Sequence, residues 1–278
     1  MSDKNFDENV ISGFGDEWER FDQSNLSAQE CSLLFDRYFK IFPWFKLDSD
    51  SVGADIGCGS GRWAQLVAPK VGLLHCFDPS DALEVAKRNL DKQVNCKFHK
   101  KSIDRLGLDE NSLDFAYSLG VLHHIPDTQA GLNAIAKFLK PGAPFLVYLY
   151  YALDNRPFWF RLVWKISNVF RLFISRLPYS LRYFSSQLIA IFIYFPLAWI
   201  AYIFEKIGVD VRNFPLSSYR NVSFYTMRTD SLDRFGTRLE KRFSKEQIER
   251  MMIIAGFDSI QFSESEPFWC AVGFKNEK

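Results

Sequence analysis

Three glycines at alternate positions follow an aspartate in the run Asp55-Ile56-Gly57-Cys58-Gly59-Ser60-Gly61-Arg62. After an apolar strand, such a loop turns the backbone sharply and leaves room for a ligand where the next helix begins. A tight turn alone would also use glycine. The second half of the pattern is Phe77-Asp78-Pro79-Ser80, whose carboxylate falls about 20 residues further on, placed to accept both hydroxyls of a ribose. Gly59-Ser60-Gly61-Arg62-Trp63-Ala64 also fits the G-x-G-x-x-A dinucleotide fingerprint, so a dinucleotide-dependent oxidoreductase is a rival reading. Asp55 opposes it, because a carboxylate two residues before the first glycine suits a cationic amino group and repels a pyrophosphate. A ligand with a ribose, an adenine and a positively charged amino acid fits the loop better.

Other candidates for chemistry are the tandem His123-His124, at the end of a fourth apolar run, and a later cluster holding Tyr225 and Arg228. A histidine there is a candidate general base or substrate-orienting group; the alternative is that both rings cap the following turn. His75 and His99 read as structural. The five cysteines are scattered, with no Cys-x-x-Cys pair, so no metal site is expected and reduced thiols are.

These residues need elements to hold them. From Asp50 to Tyr151 short apolar runs alternate with helical segments: strands at 52–56, 72–77, 94–99, 113–118 and 144–151, helices at 62–67, 82–90 and 128–139. That alternation predicts a doubly wound α/β parallel sheet covered on both faces. The 278 residues carry 34 Lys+Arg against 33 Asp+Glu, net +1. Nucleic acid is therefore not an expected partner; disorder and a disulfide-dense scaffold are also excluded. The polar, acidic N-terminus lacks the pattern of a signal peptide, giving the expectation of a cytoplasmic protein.

Together these motifs resemble the class I S-adenosylmethionine-dependent methyltransferases of the small-molecule and quinone-type group. Asp55-x-Gly57-x-Gly59-x-Gly61 is similar to their first motif, Asp78 to their ribose-binding acid, Ser118-Leu119-Gly120-Val121-Leu122-His123-His124-Ile125-Pro126-Asp127 to their fourth-strand motif, and Leu139-Lys140-Pro141-Gly142 to the turn before strand five. The resemblance implies a seven-stranded Rossmann-like sheet with an antiparallel last strand, and S-adenosyl-L-methionine as cofactor. It implies a cofactor site of Asp55, Gly57, Cys58, Gly59, Gly61, Arg62, Asp78, Pro79, Ser102, Ile103, Ser118 and Leu119. Where relatives often carry Gly-Asp-Ala for the adenine, this chain has Lys101-Ser102-Ile103, so the adenine contact departs from the pattern. Phe14 to Phe21 resembles a segment that precedes a cofactor-covering helix; plain packing of an amphipathic helix explains it equally.

Residues 152–242 form a large aromatic-rich helical insertion after strand five, between the core at 50–151 and a closing segment at 243–278, with residues 1–49 as an N-terminal cap. Arg156, Arg161, Lys165, Arg171, Arg176 and Arg182 have no acidic residue among them, and Leu188 to Phe204 is uncharged. On a helical wheel Arg161, Lys165 and Arg176 fall together, with bulky apolar residues opposite. Because the chain must return to one sheet, a single membrane span is excluded; attachment to an anionic membrane surface, a lid and an oligomer contact stay open, as do monomer and homodimer. The expected activity is methyl transfer to a small lipophilic or lipid-linked acceptor, with oxygen the favoured atom and nitrogen or carbon as alternatives. A catalytically inactive cofactor-binding partner protein is the rival outside enzymes.

Overall fold

The structure, a computed structural model, describes residues 5–277. The chain divides into two compact units. One comprises the described residues of Met1–Gln23, Cys31–Ala152 and Leu239–Lys278; the other comprises Ser24–Glu30 and Leu153–Arg238.

In the first unit, α1 (Glu8–Arg20) and α2 (Ala28–Tyr38, shared with the second unit) precede the alternating core. The core runs β1 (Val52–Ile56), α3 (Ala64–Val67), β2 (Leu73–Phe77), α4 (Ala82–Asn89), β3 (Cys96–His99), β4 (Phe115–Leu119), α5 (Thr128–Phe138) and β5 (Pro144–Tyr148). The seven strands take the order β3-β2-β1-β4-β5-β7-β6, in which β7 (Cys270–Lys275) is antiparallel to both β5 and β6 (Phe257–Phe262). The winding runs one way from β1 through β2 to β3 and the other way from β4 to β5, so right-handed crossovers put their helices on opposite faces. Order reverses between β1 and β4, the place where such sheets bind ligands at their carboxyl ends.

The strands form where the sequence is apolar enough to be buried on both faces; Ala54, Ile56, Phe145 and Val147 share one core with Leu132 and Ile135 of α5. Caps fix the helix starts. The Asp127 carboxylate accepts the Ala130 N–H at 2.9 Å, and Ser244 and Gln247 form a capping box ahead of α10 (Lys245–Ile254). The fifth strand stops at Tyr148 rather than Tyr151, because Tyr151 leaves to bridge Phe243. Phe14 to Arg20 lie within α1, Phe21 caps its end, and α2 follows.

The second unit holds α6 (Phe158–Ile174), α7 (Tyr179–Ile189), α8 (Phe195–Lys206) and α9 (Phe224–Gly236). Pro178 separates α6 from α7, while α7 and α8 run together through a wide turn at Ala190–Tyr194 as one helix of 28 residues, long and apolar enough by length and composition to cross a membrane. On α6 the bulky apolar residues do not form a buried face: Phe158, Ile166, Val169, Phe170 and Phe173 are exposed, like Arg161 and Lys165, while Arg171 is buried. The inward Arg171 is satisfied by the Asn168 side chain at 2.7 Å and the Thr237 carbonyl at 2.9 Å.

Candidate active site

The glycine turn is fixed from below by backbone. Gly57 and Cys58 both donate to the Phe77 carbonyl, at 2.8 and 2.9 Å, tying the end of β1 to the end of β2. Gly57 has φ +80, and a Cβ there would lie 2.4 Å from Val121, so both conformation and space demand glycine. At Gly59 (φ +53) a Cβ would meet the Trp18 indole nitrogen at 3.1 Å, which places α1 over the turn.

Asp78 organises the same turn. One carboxylate oxygen accepts the Gly59 N–H at 2.9 Å; the other accepts the Ser80 N–H at 2.9 Å and its hydroxyl at 2.6 Å. Burial raises its pKa, and the bonds from Ser80 and Gly59 oppose that rise. Asp55, at the end of β1, accepts the Tyr117 hydroxyl at 2.9 Å and is almost fully buried. Loss of solvent pushes its carboxyl up to about 8 against the lowering effect of Tyr117, with the Asp78 charge adding to the rise.

This donor set can be asked what it fits. Two buried carboxylates border the turn, while the Arg62 guanidinium lies 4.2 Å from the Trp63 ring centroid, turned to an aromatic partner. Carboxylates welcome hydroxyls and a cation and oppose a diphosphate. S-adenosyl-L-methionine fits on this chemistry: Asp78 could hold ribose hydroxyls and Asp55 the amino group of its amino-acid part.

The remaining sequence-predicted cofactor residues are placed as follows. Cys58 is buried, Pro79 is half-buried beside Asp78, and the Ser118 hydroxyl donates to the Ile56 carbonyl at 2.9 Å, with Leu119 buried next to it. Ser102 bonds the Asp104 carboxylate, and Ile103 packs into the main core with Leu132 and Ile135.

The histidines sit in a short turn after β4. His124 holds the Leu239 carbonyl through Nδ1 at 2.6 Å and lies 5.0 Å from Phe14. His123 is wholly buried, stacks on Tyr150 at 3.9 Å and 28°, and among the described residues has no hydrogen-bond partner at either ring nitrogen. Burial, with His124 and Arg242 nearby, holds its pKa well below the usual imidazole value. The ring is therefore uncharged at neutral pH, and its geometry suits a neutral hydrogen-bonding group better than a strong base.

Sequence reasoning missed three neighbours of this pair. Tyr150 lies under His123, the Arg242 guanidinium is 5.0 Å from the Tyr150 ring, and Glu240 pairs with Arg242 at 2.7 Å. The run Tyr148-Leu149-Tyr150 at the end of β5 was the available signal, since alternation puts its two phenols on one side. Tyr148 contacts Tyr38 edge-on at 5.2 Å, and Tyr38 contacts Trp63 at 4.9 Å, so an aromatic wall borders the carboxyl edge of the sheet. Tyr225 and Arg228 lie on α9 in the second unit, where Arg228 bonds Gln187 and the Tyr183 hydroxyl. Among the described residues no cluster of His, Cys, Asp and Glu could hold a metal.

Residues 54–142 match the family described as "Methyltransferase domain". The phosphoethanolamine N-methyltransferase 2 of Caenorhabditis elegans is 34% identical over 100 residues, covering 34% of this chain and 23% of that protein. A ubiquinone biosynthesis O-methyltransferase of Saccharophagus degradans is 33% identical over 91 residues, covering 32% of this chain and 39% of that one. The chain thus spans less than half the length of these relatives. A chain from the complex of the Haloferax volcanii Trm112 methyltransferase activator with a methyltransferase superposes with a TM-score of 0.52 at 15% identity, over 95% of this chain and 98% of that one, a likeness of fold. Residues 54–142 thus carry a methyltransferase domain, and the seven-stranded sheet around them has the Rossmann-like fold of the class I S-adenosylmethionine-dependent methyltransferases.

Proposed function

We propose that this protein transfers a methyl group from S-adenosyl-L-methionine to a small lipophilic or lipid-linked acceptor, with oxygen the favoured atom. The observation that carries the cofactor half is the pair of buried carboxylates, Asp55 and Asp78, bordering a glycine turn at the order reversal of the sheet. The cofactor supplies an activated methyl on a sulfonium, which an acceptor displaces in line. What the chain must do is align the acceptor and, for a hydroxyl, provide for its proton. His123 and His124, backed by Tyr150 and the Glu240–Arg242 pair, border the carboxyl end of β4 and are the residues assigned to orienting the acceptor.

The lipophilic character of the acceptor is supported by the second unit, whose helices expose large apolar side chains from Phe158 to Phe224. A ubiquinone O-methyltransferase among the relatives supports the same class, whereas the phosphoethanolamine enzyme keeps nitrogen as an alternative. The five cysteines are all free, which supports work in a reducing compartment, on the cytoplasmic side of a membrane. Incubation with methyl-labelled S-adenosylmethionine and a panel of quinol, phenol and lipid-amine acceptors tests the proposal. Label appearing in an organic-phase acceptor supports it. Cofactor binding without transfer to any acceptor would favour the inactive partner protein instead.

A further inference from the structure

The second unit turns most of its large apolar side chains outward. Of the 27 exposed large hydrophobic side chains among the described residues, 22 fall between Phe158 and Phe224. Its interior is mixed: a small apolar cluster of Tyr194, Ala198, Met227 and Phe235 sits beside buried Arg171, Ser186, Thr229 and Ser231, and along the 28-residue helix the inward positions are mostly small, Ser186, Ala190, Ala198 and Ala201, with Tyr194. The inward arginines are hydrogen-bonded: Arg171 and Arg182 donate to the Thr237 and Gly236 carbonyls at the end of α9, at 2.9 and 2.8 Å. Small residues packed inward, polar groups satisfied inside and bulky apolar ones outside is the pattern of helices whose solvent is hydrocarbon. A water-facing bundle shows the reverse.

We infer that the second unit embeds in one leaflet of an anionic lipid bilayer, with the face carrying Phe184, Phe192, Phe195 and Trp199 in the hydrocarbon. This deepens the reading of a lipophilic acceptor and rests on it only for why an enzyme would reside there. The depth is one leaflet because both ends of the insertion return to one sheet, and because a second spanning leg of α6 would carry the exposed Arg161 and Lys165 into hydrocarbon. Those residues instead suit anionic head groups; no acidic residue lies between Arg156 and Phe204 to oppose them. A second copy of the chain is the poorer occupant, since an isologous pairing would bring two basic rows into one interface with no acidic partner in the segment.

The test uses the full chain with vesicles of phosphatidylcholine alone and of phosphatidylcholine with about one quarter phosphatidylglycerol. Flotation with both, about tenfold tighter on the anionic vesicles and retained in part at about 1 M salt, is expected, since salt screens head-group attraction and leaves hydrocarbon burial. Brominated acyl chains should quench tryptophan fluorescence, less so in Trp199→Phe. The triple variant Phe184→Asp, Phe192→Asp, Trp199→Asp, at three exposed positions, should float at least about tenfold less while keeping its circular dichroism and its S-adenosylhomocysteine affinity. Complete release by salt without quenching, wild-type flotation of the triple variant, or concentration-dependent self-association without flotation each overturns the inference. Vesicle binding lost with cofactor binding intact sinks this inference alone; cofactor binding lost with flotation intact sinks the methyl-transfer reading alone.

Discussion

The Asp78 carboxylate accepts the backbone N–H of Gly59 at 2.9 Å, so the acid at the end of β2 is also the brace of the glycine turn after β1. Its other oxygen holds Ser80, which leaves the carboxylate oriented before any ligand arrives. A carboxylate has about four acceptor positions, and three are engaged, so at least one remains for a ribose hydroxyl. The brace of the turn and the acid proposed for the ribose are the same residue.

The raised pKa of Asp55 should make the protein's stability and its cofactor affinity depend on pH. Its folded pKa of about 8 lies above the ordinary 3.8, so between those values the folded chain binds the extra proton, and the contribution of this group to stability falls as pH rises. Compared with Asp55→Asn, the wild type should lose about 1.4 kcal/mol per pH unit across roughly pH 5 to 7.5 in denaturant titrations. An ammonium group set against Asp55 favours the ionised carboxylate, so binding of S-adenosylhomocysteine through its amino group near pH 7 should release a proton. Calorimetry in buffers of different ionisation enthalpy measures that release, and Asp55→Asn should abolish it.

Gly57→Ala should destabilise the domain by about 2–4 kcal/mol, combining positive-φ strain with the collision against Val121. Adding Val121→Ala should recover the steric share and leave the strain, a coupling that a double-mutant cycle in urea reads directly. Additive effects of the two changes would show that Val121 is not the obstacle.

His123 should not titrate in the range where imidazoles usually do, because burial holds it neutral. His123→Gln is expected to keep kcat within about tenfold, and the pH–rate profile of the wild type should show no limb near pH 6.5 from this ring. A fall of about a hundredfold or more, with such a limb vanishing in the variant, would establish proton abstraction by His123.

The order of strands and helices was legible because the strands are short, mostly apolar runs, three of which, β1, β2 and β4, end directly at Gly57, Asp78 and Gly120. Asp55, Asp78 and the glycines were legible for the same reason: their chemistry is written in local spacing. Glu240 and Arg242 were not, since they return beside Tyr150 only after the insertion, and nothing local to Leu239-Glu240-Lys241-Arg242 points to β5. The inverted polarity of α6 was hidden too. A helical wheel separates Arg171 from Phe170 but does not say which of the two faces is inside.

The central claim, a cofactor site built on Asp78 and the glycine turn, is tested most directly by calorimetric titration of the wild type and Asp78→Ala with S-adenosylhomocysteine and with NADH. The account predicts one site for S-adenosylhomocysteine, none for NADH, and a loss of about 1.5–3 kcal/mol in the variant as charge-assisted hydrogen bonds go. Binding of NADH in preference, or an S-adenosylhomocysteine affinity that Asp78→Ala leaves unchanged, would contradict it.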